Sequence, residues 1–346
     1  MSRWIDLSEQ ERIAAVQSTA SDRTIEERAV EKDWWVTAVL KALFDTSCGA
    51  YLLFKGGTSI SKGWPIIERF SEDIDLSLGR KFFLEHLGLH YAAAVNNTQL
   101  KNLRKASRRY IHGVLSGELE ERLGAMGLDG FAVKNVTEQP VQGGVRAIDA
   151  DSDPTVITVA YNSVFPAYDG DILPVVKIEI SCLSMAEPFE EKQISTLIHD
   201  RFDELDGELS SIIPTVTPAR TFLEKAFLLN EEFQKEKPRS RRMSRHLYDL
   251  EKLMDTEYGK AALADGSLYK AIVEHRRKFY HLGYVDYDRD YPERIDFVPQ
   301  GAVLDAFRKD YVDNMINGYI YGEAKPFDVL LERMVELRER FRKVVF

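Results

Sequence analysis

The chain has 346 residues, 44% of them hydrophobic and 29% charged, which is enough for two domains with a core each. Its formal net charge of -10 excludes a protein that coats nucleic acid indiscriminately, although local patches could still bind one. No apolar run approaches the roughly 20 residues needed to span a bilayer, and "MSRWIDLSEQERI" turns charged before an apolar signal core can form, so a cytoplasmic protein is expected.

Ser8 with Glu11 three residues on reads as a capping box opening a first helix. A second helix is expected over about 24–44, including "EKDWWVTAVLKALF". "YLLF" is a short buried strand running into Gly56 and Gly57, and "SEDIDLSL" is a strand after it. Helices are expected over about 81–95 and 98–123, then strands at "FAVKNVT", "TVITVAY" and "LPVVKIEIS". From Pro218 the pattern becomes almost wholly helical, with Thr217 as cap and Pro218 in the first turn. The chain therefore reads as an α/β (α+β) domain over 1–213, with N-terminal helices and a helical insertion over about 83–153, followed by a helical domain over 214–346. Cys48 and Cys182 fit no ligand spacing and read as reduced, buried thiols.

Alternate residues of a strand share a face, so Ser71, Asp73, Asp75 and Ser77 are expected on one side and Ile74, Leu76 and Leu78 on the other. Two carboxylates on one face repel unless they stay solvated or share a cation. Mg²⁺, which takes one or two carboxylates plus substrate phosphates, would resolve that repulsion. Before the strand, Gly56 and Gly57 let a backbone approach a ligand, while Thr58 and Ser59 add hydroxyl donors. The same four residues also fit a tight turn after a buried strand. Neither the P-loop spacing nor the dinucleotide-binding glycine fingerprint is present. In "VVKIEIS", Lys177, Glu179 and Ser181 share the polar face; beside the aspartate strand, Glu179 would complete a carboxylate trio around two metals. A solvent-facing Lys/Glu edge is the alternative.

Two basic clusters stand out in this acidic chain. Lys101, Arg104, Lys105 and Arg108 recur at helical spacing as one stripe, and Lys237, Arg239, Arg241, Arg242 and Arg245 form a second group. Either could be a solvated face or a nucleic-acid contact.

The string "FKGGTSISKGW…ERFSEDIDLSL", preceded by "EKDWWVTAVLKALF" and followed in order by "VKIEIS", "RTFLEKAFLL" and "RHLYDL", resembles the DNA polymerase β-type nucleotidyltransferase superfamily. Within it, the resemblance is to the AbiEii/AbiGii toxin family, which includes the MenT toxins. The stretch from about 83 to 153 carries no motif of the family. The resemblance implies a mixed sheet flanked by helices, a helical-bundle C-terminal domain, and transfer of a nucleoside monophosphate from an NTP to RNA, often the tRNA 3′ end. It assigns Ser59 to the NTP phosphates, with Gly56, Gly57, Thr58, Ser71 and Lys177 around the nucleotide. Asp73 and Asp75 would hold Mg²⁺; the strand reading adds Glu179 as the further metal ligand of a two-metal site, and Lys177 and Glu179 fall on the family's strand motif. Lys225 would bind the triphosphate and Asp249 would be the later catalytic aspartate. A cognate antitoxin encoded nearby is also implied. Arg245 and Asp249, four residues apart, equally fit a surface salt bridge. The remaining alternatives are a small-molecule nucleotidyltransferase of the antibiotic-modifying kind, a nucleotide-binding regulator with little transfer activity, and an interaction protein with an acidic surface.

Overall fold

A computed structural model describes residues 3–89, 96–141, 143–166 and 172–346. The chain forms two compact units, residues 1–63 with 72–215, and residues 64–71 with 216–346. Residues 64–71, although they precede the aspartate strand, pack within the second unit.

In the first unit, α1 (Glu9–Arg23) is opened by the expected capping box, Ser8 and Glu11 each bonding the other's backbone N–H. Helix α2 (Glu27–Phe44) follows, then β1 (Leu52–Lys55) and α3 (Gly56–Gly63). After β2 (Asp73–Leu78) come α4 (Arg80–Leu87), α5 (Asn97–Tyr110) and α6 (Ser116–Ala125). The end of the helix expected over 81–95 lies outside the described residues. Strands β3 (Phe131–Asn135), β4 (Glu138–Val141), β5 (Gly144–Ala147), β6 (Thr155–Tyr161), β7 (Val175–Ser181) and β8 (Phe189–Ile194) precede α7 (Leu197–Arg201) and β9 (Ser211–Val216).

Seven strands make one mixed sheet in the order β3-β6-β7-β2-β1-β9-β8, with β4 and β5 as a separate hairpin. The stretch read as a helical insertion thus ends in strands, and one of them, β3, pairs with β6 at the sheet edge. β2 lies antiparallel to β1 and parallel to β7. Alternation sends Ile74, Leu76, Ile178 and Ile180 into a core that leaves them fully buried, and α2 packs there with Trp35 stacked on Tyr161, ring centroids 4.8 Å apart. Cys48 and Cys182 are buried and unpaired, as expected.

The second unit is built on α8 (Pro218–Glu232), α9 (Arg245–Met254), α10 (Glu257–Ala264), α11 (Gly266–His275), α12 (Gly301–Asp310) and α13 (Phe327–Phe341). Phe222 and Phe297 both contact Phe341, and Phe227 meets Tyr269 edge-on, giving an aromatic core. Thr217 takes the N-cap position of α8 with Pro218 following, but its side chain makes no capping bond. Among the described residues, no helix is long and apolar enough to cross a membrane.

Candidate active site

The register of three neighbouring strands collects the polar chemistry of the first unit. Lys55 on β1 pairs across to Asp75 on β2, which pairs across to Glu179 on β7. Two residues earlier, Asp73 pairs with Lys177. Asp73, Asp75, Lys177 and Glu179 are each partly exposed while the residues between them are buried, so the period-2 pattern gives one polar face. Ser71 precedes the strand, so the shared face begins at Asp73 rather than at Ser71. Ser77, farther along that face, is buried.

Lys177 changes the expected carboxylate trio. Its ammonium donates to Glu179 Oε1. Burial would lower the Lys177 pKa, but Glu179 first, then Asp73 and Asp75, hold it above the ordinary lysine value. Glu179 lies beside Asp75 as its strand position dictates, yet its carboxylate is engaged by Lys177. Among the described residues, no group of three His, Cys, Asp or Glu side chains is disposed to hold a metal ion. Asp73 and Asp75 remain as a two-carboxylate oxygen donor set on one face, which suits a Mg²⁺-type cation that takes its other ligands from water and phosphate.

The Gly-Gly-Thr-Ser segment is the first turn of α3, which follows β1 without a loop. Gly56 has φ of +84°, and a Cβ there would lie 2.1 Å from Asp75 Oδ2. Glycine is required by both the left-handed backbone and the aspartate against it. Thr58 is buried and its hydroxyl donates to the Asp73 carbonyl, tying the helix to β2. Ser59, fully buried, donates to the Gly56 carbonyl at 3.0 Å. The two hydroxyls thus brace the turn, which is also a helix N-terminus, a place where an anion is favoured in general.

Three consecutive charged residues of α2, Glu31, Lys32 and Asp33, are buried and each reaches a different segment. Glu31 accepts from Ser163 Oγ at 2.6 Å and Val164 N at 2.8 Å. Lys32 Nζ meets Glu72 Oε2 at 2.6 Å, directly before Asp73. Asp33 pairs with Lys62 in the last turn of α3 and accepts from Leu197 N at 2.8 Å. Buried charges persist only when paired, and here the pairs fasten both the glycine turn and the aspartate strand. Sequence reading picks out the "EKDWW" string but misses these roles; three adjacent charges running directly into the apolar stretch from Trp34 to Leu40 were the available signal.

In the second unit, Asp249 on α9 is fully buried and receives two cations. Arg69 takes both oxygens, Nε–Oδ1 at 2.6 Å and Nη2–Oδ2 at 2.7 Å, and Lys225 Nζ lies 2.9 Å from Oδ2. Burial alone would raise the Asp249 carboxyl, but Arg69 and Lys225 hold it well below the usual carboxylate range. Burial also lowers Lys225, which Asp249 only partly offsets. A surface salt bridge from Arg245 is therefore not what Asp249 makes, because the carboxylate has no surface exposure. Arg69 escaped sequence reading because its partner lies 180 residues away.

Of the expected basic stripe, three of the four cations keep surface exposure and one does not. Arg108 is buried and donates to the Val136 carbonyl at 3.1 Å. Arg104 faces Asp151 at 3.7 Å and Lys101 reaches the same carboxylate at 4.0 Å; Lys101 is exposed, and Arg104 and Lys105 are partly exposed. The apolar face of α5, Leu100, Leu103 and Tyr110, is wide enough to draw Arg108 inward. In the second cluster, Lys237, Arg239 and Arg241 are exposed, with Arg239 pairing to Glu232 at 2.9 Å; Arg242 lies over the Tyr319 ring, 5.0 Å from its centroid.

A family model described as "Nucleotidyl transferase AbiEii toxin, Type IV TA system" matches residues 38–333. Among solved structures, the fold is similar to that of MenT4, a nucleotidyltransferase toxin from Mycobacterium tuberculosis H37Rv, with a TM-score of 0.51 and 20% identity over 98% of this chain and 91% of that one. No curated protein matches.

Proposed function

Because the chain belongs to the AbiEii family of nucleotidyltransferase toxins of type IV toxin–antitoxin systems, we propose that it transfers a nucleoside monophosphate from an NTP to an RNA acceptor, most simply the 3′ end of a tRNA. The observation that carries this reading is the polar strand face, where Asp73 and Asp75 stand side by side against the N-terminal turn of α3. A divalent cation such as Mg²⁺ on these aspartates, as one ion or two, would polarise the phosphate oxygens and neutralise charge as pyrophosphate leaves.

The chain's own groups would do the rest. The N-terminus of α3, at Gly56 and Gly57, favours an anion and receives phosphate oxygens through backbone N–H groups. Thr58 and Ser59 hold that turn in shape. Lys177, kept protonated by its carboxylate neighbours, orients Glu179 and balances the aspartates. Lys225 donates to the triphosphate, where charge builds in the transition state. Asp249 holds Lys225 and is a positioning residue in this reading. Lys237, Arg239 and Arg241 supply an exposed basic surface for RNA phosphates, which favours RNA over a small cationic acceptor. We propose a cytoplasmic site of action, and an antitoxin encoded nearby as partner.

The test incubates the protein with each of the four α-labelled NTPs, Mg²⁺ and total RNA. Label entering RNA supports the proposal. Label found only on small molecules, or nowhere despite NTP binding, favours the antibiotic-type enzyme or the regulator.

A further inference from the structure

Arg69 and Lys225 place two positive charges on the single carboxylate of Asp249, and the side chains of all three are more than nine-tenths buried. The guanidinium fork covers both oxygens of Asp249, and Nη1 donates to the Phe70 carbonyl at 3.2 Å. Lys225 therefore shares one oxygen with a stronger, bidentate partner. The triad holds one positive charge in excess in a place where uncompensated charge is costly.

We propose that Arg69 is a positioning residue for triphosphate binding, occupying Asp249 so that the Lys225 ammonium stays under-compensated and available to a phosphate chain. The inference rests on the nucleotide reading above and adds a residue and a reason to it. Without Arg69, Asp249 would belong to Lys225 alone, and a neutral pair would have little to offer an anion. The groups that face Lys225 are consistent with this role: Asp249 draws its proton in, while Arg69, Arg245 and burial push it out. His246 stands in the same surroundings, held neutral by burial and by Lys225 and Arg245.

The experiment measures pyrophosphate affinity of the full-length protein by calorimetry across a pH series. Arg69→Met should weaken binding by about tenfold or more, as expected when one charge of a buried set is removed. It should also move the alkaline loss of binding to higher pH, because one of the cations that depress Lys225 is gone. Arg69→Lys keeps the charge and should stay within about threefold of wild type. Arg69→Met with Asp249→Asn removes opposite charges together and restores the excess, so it should bind at least about threefold more tightly than Arg69→Met alone, while staying below wild type because Asp249 no longer holds Lys225. A merely structural Arg69 would weaken all three variants without moving the pH midpoint. Arg69→Met equal to wild type, or a double variant as weak as Arg69→Met, overturns the proposal. Should Arg69→Met not fold, Arg69→Lys against wild type decides: binding within about threefold supports the proposal and a loss of about tenfold or more overturns it. A wild type that binds neither pyrophosphate nor any NTP sinks the nucleotide reading instead, a result distinct from a binding wild type with an indifferent Arg69.

Discussion

Lys32 on α2 and Glu72, the residue immediately before Asp73, form an ion pair of 2.6 Å with 4% and 6% of their side chains exposed. The pair fixes where β2 begins, and with it the first aspartate. Lys32→Met removes the ammonium that bonds the buried Glu72 carboxylate and should cost about 3–5 kcal/mol. Lys32→Met with Glu72→Met should cost much less, since no charge is stranded. Urea denaturation of the two variants checks this; equal losses would mean that the pair contributes through packing alone.

Gly56→Ala sets a methyl group where Asp75 Oδ2 now lies, on a backbone at φ +84°. The strain is on the order of 1–3 kcal/mol, and relieving it moves the carboxylate. Transfer should fall by more than about a hundredfold, the scale of a misplaced reacting group, while circular dichroism keeps its native shape. Single-turnover kinetics supply the measurement, and a normal rate would remove Asp75 from the reaction.

Asp73→Asn keeps the shape of the side chain and removes one of two like charges on the strand face. The Thr58 bond survives because it uses the Asp73 backbone carbonyl. Stability should stay level or rise, within about 1 kcal/mol for these partly exposed groups, and nucleotidyl transfer should disappear. A folded, active variant would contradict the assignment of this face as the catalytic one.

Much of this site is legible in the sequence because it is local. The period-2 pattern of "DIDLSL" and "VVKIEIS" sets which residues share a face, and adjacency of the two strands follows from the family resemblance. The glycine turn is legible too, although the structure adds a reason that its composition does not suggest: Gly56 makes room for Asp75. Side-chain pairing over long separations is not legible. Nothing in "ERFSED" says that Arg69 reaches Asp249, or that Glu72 reaches Lys32. The burial of Arg108 in the α5 stripe is illegible for a related reason, since helical spacing places four cations together without saying how far the apolar face extends around them.

Asp290 makes the pH dependence of the C-terminal unit testable. It is buried, Asn230 donates to Oδ1 at 2.7 Å, and Arg276 is given bidentate to Glu231 rather than to it. Burial, with the Glu231 carboxylate beside it, pushes the Asp290 carboxyl up to about 8. The folded chain therefore keeps a proton that the unfolded chain releases above about pH 4. This group's contribution falls as pH rises from about 4 to about 8 and is level beyond. Asp290→Asn preserves the neutral form, so its stability advantage over wild type should grow across that window. Chemical denaturation at both ends of the window decides it, and an advantage that does not change with pH would show that Asp290 is ionised in the folded chain.

The most direct measurement compares intact tRNA with tRNA whose 3′-terminal ribose has been destroyed by periodate, each incubated with α-labelled NTPs, Mg²⁺ and the protein. If Asp73 and Asp75 catalyse attack by the RNA 3′ hydroxyl on the NTP, label should appear on intact tRNA, not on oxidised tRNA, and on neither with Asp73→Asn. Equal labelling of both RNAs, or label confined to the protein itself, would contradict transfer to an RNA 3′ end.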